Sequence, residues 1–222
     1  MKKYLIIIIG AFLAFYLLGY FNAKKVVDDF YFHENKVSEQ VKEGDIILQT
    51  SESYQCEAVR LATNSKFSHC GIIFKDNDKT YVLEAVQPVK ITPLDEWISH
   101  GKESDYLIRR CKNSEELLDS KKIESMKTYG KNMLNKDYDL YFEWSDEKIY
   151  CSELVWKIYK EGAGIEICPF KKLKEFNLSN PKVKKIMKER YGNNVPLEEN
   201  VIAPSQLAES KLLETVIDTY NN

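Results

Sequence analysis

The chain has only three histidines, no CxxC pair, and no cysteine–histidine cluster at zinc-ligand spacing. A structural metal site is therefore not expected, and neither is a cofactor. Charge of one sign is also lacking. The formal net charge is −2, and the aromatic residues interleave with no basic stripe, which removes the electrostatic case for nucleic acid as a partner. No internal repeat and no low-complexity tract is present. What remains is an ordinary globular composition: 222 residues, 44% hydrophobic and 30% charged. That length suits one sizeable domain with a core large enough to stand without staples.

One long apolar run exists, and it comes first. "MKKYLIIIIGAFLAFYLLGYFNAKK" opens with Lys2 and Lys3 and is apolar from Tyr4 to Phe21. A positive flank before such a run marks a secretory signal or a membrane anchor, and its length approaches the roughly 20 residues that span a bilayer. Phe21 sits at position −3 of the best cleavage point, after Ala23, where signal peptidase prefers small residues; this favours an uncleaved anchor. No cysteine closes the run, so a lipoprotein-type N-terminus is not expected. Positive residues ahead of the span hold that end in the cytoplasm, although Lys24 and Lys25 weaken the asymmetry. The expected organisation is a signal or anchor helix over 1–25, a polar stalk over 26–42 and a globular domain over 43–222. That domain is expected in the cell envelope, outside the cytoplasm, tethered to the membrane or secreted. In such a compartment five cysteines raise the question of disulfides, which spacing cannot answer.

Within the domain, short strands and helices alternate. "GDIILQT" (44–50), "SHCGIIFKD" (68–76), "TYVLEAV" (80–86), "VKI" (89–91), "YLIRRC" (106–111) and "LLETVID" (212–218) read as strands. Ser51 or Ser53 is placed to cap a helix through "YQCEAVRLATN". "PLDEWISH" (93–100) begins with proline at a first helical turn, residues 114–130 carry helical spacing, and "APSQLAES" (203–210) reads as a capped turn and short helix. Strands gathered in the middle with helices on either side predict an α+β domain. The Lys-rich segment 170–195 reads as a solvated helical face or as a surface for an anionic polymer or lipid.

A hairpin turning at Asn77 and Asp78 sets Gly71 opposite Glu84, making His69 and Glu84 diagonal neighbours on one face. A carboxylate between Val82 and Val86 is costly to bury alone, and a histidine partner accounts for it; a solvent-side edge residue is the alternative. Cys151, Leu154, Val155 and Ile158 follow the spacing of an inward helix face. That pattern fits a buried core thiol. It also fits a nucleophile in the first helical turn, where the helix dipole and a nearby histidine lower a thiol pKa. In the second reading Cys151 attacks a carbonyl carbon, His69 moves the proton, Glu84 orients the imidazole, and the Cys151 N–H helps hold the oxyanion. Tyr54 and Tyr150 are candidates to line the pocket or to donate to an oxyanion. Cys70 follows His69 on the other face and is expected in the core. Cys56, Cys111 and Cys168 are expected buried or paired, His33 and His100 at the surface, and Asp45 in a turn.

The stretches "GDIILQ", "FSHCGIIF", "YVLEAVQPVKITPLDEWI" and "IYCSELVWKIY", in that order over roughly 43–162, resemble the YiiX/YaeF-type permuted papain-like amidases, relatives of NlpC-type cell-wall peptidases; "APSQL" is a weaker echo. The resemblance implies a circularly permuted papain-like fold, with a small antiparallel sheet packed against the cysteine-bearing helix. It implies that His69, Glu84 and Cys151 act together as a cysteine peptidase or amidase. Histidine ahead of cysteine is the order the permuted branch requires. The implied substrates are peptidoglycan stem peptides or small amino-acid amides. Two alternatives remain: a lipid amidase, phospholipase or acyltransferase of the lecithin–retinol acyltransferase-like kind, and a non-catalytic envelope-binding module. The aromatic "YDLYFEW" suits either a lipid chain or a core.

Overall fold

A computed structural model describes residues 19–20, 24–25, 36–77 and 79–221. The chain divides into two compact units, Met1–Gln40 and Val41–Asn222. The expected anchor or signal helix lies almost wholly outside the described residues. Among the described residues no helix is long and apolar enough to cross a membrane.

Six strands form one antiparallel sheet: β1 (Ile46–Gln49), β2 (His69–Asp76), β3 (Lys79–Glu84), β4 (Lys90–Pro93), β5 (Tyr106–Cys111) and β8 (Leu213–Asp218), in the order β4-β3-β2-β1-β5-β8. Two-residue strands β6 (Lys171–Lys172) and β7 (Asn200–Val201) pair separately. The helices are α1 (Tyr54–Thr63), α2 (Leu94–Ser99), α3 (Ser114–Leu117), α4 (Ser120–Asn132), α5 (Cys151–Lys157), α6 (Pro181–Tyr191) and α7 (Pro204–Glu209). The domain is α+β with an antiparallel sheet, as the alternation of short strands and helices predicts.

Strand β2 is the spine of the site. His69 to Ile73 are all buried, because α5 packs on β2 while α2 covers the neighbouring strands β3 and β4. Covering both faces turns an alternating strand into a continuous buried run. Asn77 takes a left-handed φ of 52° at the β2–β3 turn, which asparagine tolerates better than most residues. The hairpin then pairs Gly71 with Glu84, the register the turn predicts. A Cβ at Gly71 would lie 2.3 Å from Val82 Cγ1 and 2.9 Å from the Leu83 carbonyl oxygen. Only glycine lets these strands close here.

The single helix expected over 114–130 is two, α3 and α4. Asp119 breaks the run: it is the N-cap of α4, and its carboxylate accepts from the Lys122 N–H at 2.8 Å. Ser53 caps α1 in the same way, accepting from the Cys56 N–H at 3.1 Å. Helix α5 passes at Ile158 into a π-helical turn, Ile158–Gly162. There Gly162 lies so close to α4 that a Cβ would meet Met126 Cα at 2.6 Å. The main core lies between the sheet and this layer: Ile46, Leu48, Ile72, Leu83, Met126, Leu154 and Ile158 are buried in one cluster. The Lys-rich segment supplies β6, a 3-10 turn and α6. Helix α6 turns Val183 and Ile186 onto Ala58 of α1 and leaves Lys182 and Lys185 more than half exposed at their side chains.

Candidate active site

His69 is the first residue of β2, and Glu84 is the last of β3. His69 Nε2 lies 2.6 Å from Glu84 Oε2, with both side chains buried. The second carboxylate oxygen is also engaged: Thr92 Oγ1, from β4, donates to Glu84 Oε1 at 2.5 Å, and Lys90 Nζ stands 3.9 Å away. Trp97 of α2 stacks on the imidazole, centroids 5.7 Å apart and planes 23° from parallel. The ring is thus held at its edge by a carboxylate and on its face by an indole.

Tyr150 is the N-cap of α5 and Cys151 its first helical residue. Glu153 accepts from the Tyr150 N–H at 3.3 Å, and Ser152 Oγ donates to the Ile202 carbonyl at 2.8 Å; these bonds fix the helix start. Cys151 is 3% exposed, and four polar groups bear on the protonation of its thiol: the Cys70 thiol and backbone N–H, the His69 imidazole and the Tyr138 hydroxyl. Since Nε2 is taken by Glu84, Nδ1 of His69 is the nitrogen left for sulfur. Of the three residues singled out in the sequence, His69 and Glu84 share a hydrogen bond, and His69 and Cys151 lie close enough to shift each other's pKa.

The electrostatics follow from these contacts. The Cys151 pKa is held well below that of an ordinary thiol: the Cys70 hydrogen bond is the largest influence, burial opposes it, and the His69 hydrogen bond and charge add to it. For His69, burial alone would lower the pKa. The bonds to Cys151 and Glu84 outweigh it and raise the imidazole to about 10. Glu84 is lowered in spite of burial, chiefly by His69 and then by Thr92 and Lys90. A lowered thiol pKa beside a raised imidazole pKa favours the thiolate–imidazolium form of the pair.

Two spaces meet at this pair. On one side lies an apolar cavity, about 720 Å³ of empty space with its mouth included. It is bounded by Cys151 itself, by Ala58 and Val59 of α1, by Phe142, and by Ile186 and Met187 of α6. On the other side lies a polar cleft with His69 and Glu84 in its wall, together with Ser51, Gln55, Lys90 and His100. Tyr138 lines both.

The remaining candidates sort themselves by place. Tyr150 is buried in the cavity wall, where its hydroxyl accepts from the Ile202 N–H at 3.2 Å. Tyr54 is 49% exposed, lies near the Lys185 ammonium, and is brought to neither space. Cys70 is in the core, as its place on the strand predicts, yet its thiol and that of Cys151 bear on each other's protonation. All five cysteines are free thiols. Tyr138, Thr92 and Trp97 are contacts that the sequence reading did not single out. Thr92 and Trp97 lie inside the quoted stretch "YVLEAVQPVKITPLDEWI". Tyr138 opens "YDLYFEW", which splits its roles: Tyr138 and Phe142 line the cavity, while Trp144 packs edge-on against Phe170, centroids 4.6 Å apart.

Residues 40–217 match the family described as permuted papain-like amidase enzyme, YaeF/YiiX, C92 family. The chain belongs to this family. At the family level it is therefore a cysteine peptidase or amidase. It is 45% identical over 177 residues to the uncharacterized protein YiiX of Escherichia coli (strain K12), covering 80% of this chain and 86% of that one. The crystal structure of YiiX from Escherichia coli O157:H7, described as a metalloprotein, superposes with a TM-score of 0.77 at 45% identity, over 81% of this chain and 98% of that one. Among the described residues here, no group of three or more histidine, cysteine, aspartate or glutamate side chains is placed to hold a metal ion. The residues around His69 and Cys151 do not fit a metal site.

Proposed function

We propose that this chain is a cell-envelope thiol hydrolase that removes an apolar acyl group from an amine or alcohol through a covalent thioester. The observation that carries the choice of acyl group is the apolar cavity ending at the Cys151 sulfur. Among the readings open from sequence, this favours the lipid amidase or acyl-transfer branch over peptidoglycan stem peptides. A polar stem peptide would leave that lining without a partner, whereas each methylene buried there contributes about 0.8 kcal/mol.

In this reading the Cys151 thiolate attacks the acyl carbonyl carbon and the C–S bond forms. The His69 imidazolium gives its proton to the leaving nitrogen or oxygen as that bond breaks. Neutral His69 then takes a proton from water, the hydroxide attacks the thioester, and the C–S bond breaks to return the thiolate. Glu84 keeps Nδ1 aimed at sulfur and supports the ring's positive charge. Tyr138, which lines both cavity and cleft and whose hydroxyl feels the Cys151 charge, is placed to donate to the carbonyl oxygen as charge develops there. The polar cleft receives the leaving group. The apolar run at 4–21 supports a membrane tether with the domain outside the cytoplasm, where acyl lipids are at hand.

The test is a series of acyl amides and esters from acetyl to dodecanoyl, run beside a stem tripeptide. We expect kcat/KM to rise about threefold to fourfold per added methylene over the length of the cavity, and Cys151→Ala to abolish turnover. Cleavage of the tripeptide with no dependence on acyl length would overturn the choice of substrate. A non-catalytic envelope-binding module would instead leave Cys151 unlabelled by a thiol-reactive probe in the folded chain.

A further inference from the structure

We propose that Cys70 is a resolving thiol, which joins the nucleophile Cys151 in a reversible disulfide when the protein meets hydrogen peroxide. The pairing is a matter of placement. Cys70 lies in β2 one residue after His69, on the sheet face that carries Ile72 and meets α5. The first residue of α5 is Cys151, α5 packs on β2, and Cys70 and Cys151 lie in one buried cluster, each thiol bearing on the protonation of the other. Cys70 is fully buried while Cys151 lines the open cavity. A small peroxide therefore reaches the second sulfur and not the first. A bulky external thiol cannot reach the enclosed pair as readily as Cys70, which lies in the same buried cluster.

The chemistry balances in two steps. The Cys151 thiolate attacks one peroxide oxygen; an S–O bond forms, the O–O bond breaks, and the hydroxide released takes a proton from the His69 imidazolium to leave as water. Sulfur has lost two electrons and is now a sulfenic acid. The Cys70 sulfur attacks the sulfenic sulfur, an S–S bond forms, the S–O bond breaks, and the hydroxide leaves as a second water with the Cys70 proton. Burial first, and then the hydrogen bond and charge of Cys151, hold the Cys70 thiol well above its ordinary pKa. Oxidation of Cys151 removes the second and third of these influences, so Cys70 becomes a better nucleophile when it is needed. The disulfide silences the nucleophile and shields it from sulfinic acid, which thiols do not reverse.

The proposal rests on Cys151 being the reactive thiolate, but its readout is sulfur chemistry and does not depend on the substrate. The full chain, freed of reductant, is treated with hydrogen peroxide, alkylated under denaturing conditions and mapped by mass spectrometry. In the wild type we expect loss of two hydrogens, one cross-link between the peptides holding Cys70 and Cys151, and full return of Cys151 alkylation after dithiothreitol. In Cys70→Ser, and in Cys70→Ala should the serine variant fail to fold, Cys151 should advance to sulfinic acid. Its recoverable fraction should fall by about tenfold or more. A wild type that ends as sulfinate, that stays unmodified, or that links Cys151 to Cys56 or Cys168 overturns the assignment. If Cys151 is alkylated rapidly yet never cross-links, the hydrolase reading stands and this one falls.

Discussion

Cys151 is surrounded by donors, and that determines how its reactivity should depend on pH. Its thiolate exists above a pKa that the Cys70 and His69 contacts depress, and the imidazolium beside it persists until pH approaches about 10. Alkylation by iodoacetamide should therefore be fast and flat from near neutrality towards pH 10, then fall on the acid side as the thiolate takes its proton. An ordinary thiol would gain rate around its own pKa of about 8.5 instead. Glu84→Gln should slow acyl turnover at least about tenfold, since the ring loses both its orienting partner and the charge that supports imidazolium. Thr92→Val removes the bond to Glu84 Oε1 and leaves a buried acceptor short of a partner. It should cost about 1–3 kcal/mol of stability, read as a lower Tm, with the pH profile intact. Cys151, His69 and Glu84 could be nominated from sequence because nucleophile, base and orienter form a short list of residue types. Cys70 was legible only as core. Strand alternation places it opposite His69, and sequence does not reveal that the sulfur of α5 sits where the strand starts and can be met from both faces. Tyr54 and Tyr150 were nominated to line the pocket, but the tyrosine that lines both cavity and cleft is Tyr138, in a segment without regular periodicity.

At the scale of elements, the β2–β3 hairpin does most to build the site. Gly71 allows its closure, so Gly71→Ala should cost about 1–3 kcal/mol through overpacking and slow Cys151 alkylation by shifting His69 off sulfur. Differential scanning alongside alkylation kinetics measures both. The strands were readable to within a residue or two because period-two patterns and turn residues agree. Helix α6 was readable only in part. Its lysines announce a solvated face and hide the stripe Val183, Ile186, Met187 and Arg190, all of which line the apolar cavity at helical spacing. Met187→Trp should narrow that cavity and move the preferred acyl chain to shorter lengths. The segment 138–149 could not be read at all, because its shape comes from contacts: the Asp139 carboxylate accepts from the Tyr141 N–H at 2.8 Å and the Glu143 N–H at 2.6 Å.

Across the whole domain, one buried ion pair ties the sheet together. Arg110 of β5 meets Asp45, just ahead of β1, through two bonds: Nε to Oδ1 at 2.8 Å and Nη2 to Oδ2 at 2.6 Å. Asp45 also accepts from the Lys42 N–H at 2.8 Å, so the turn expected of it is present, and the arginine is added. Arg110→Ala would strand a buried carboxylate and should cost about 3–5 kcal/mol, visible as a lower urea midpoint with alkylation chemistry unchanged in the molecules that remain folded.

His69 and Cys70 are chain neighbours that point to opposite sides of β2, and both bear on the protonation of the same sulfur. One peptide unit thus carries the proton partner and the electron partner of the nucleophile. Sliding β2 by a single position would exchange them, so the pairing that secures hydrolysis also secures the oxidative safeguard, and neither can drift without the other.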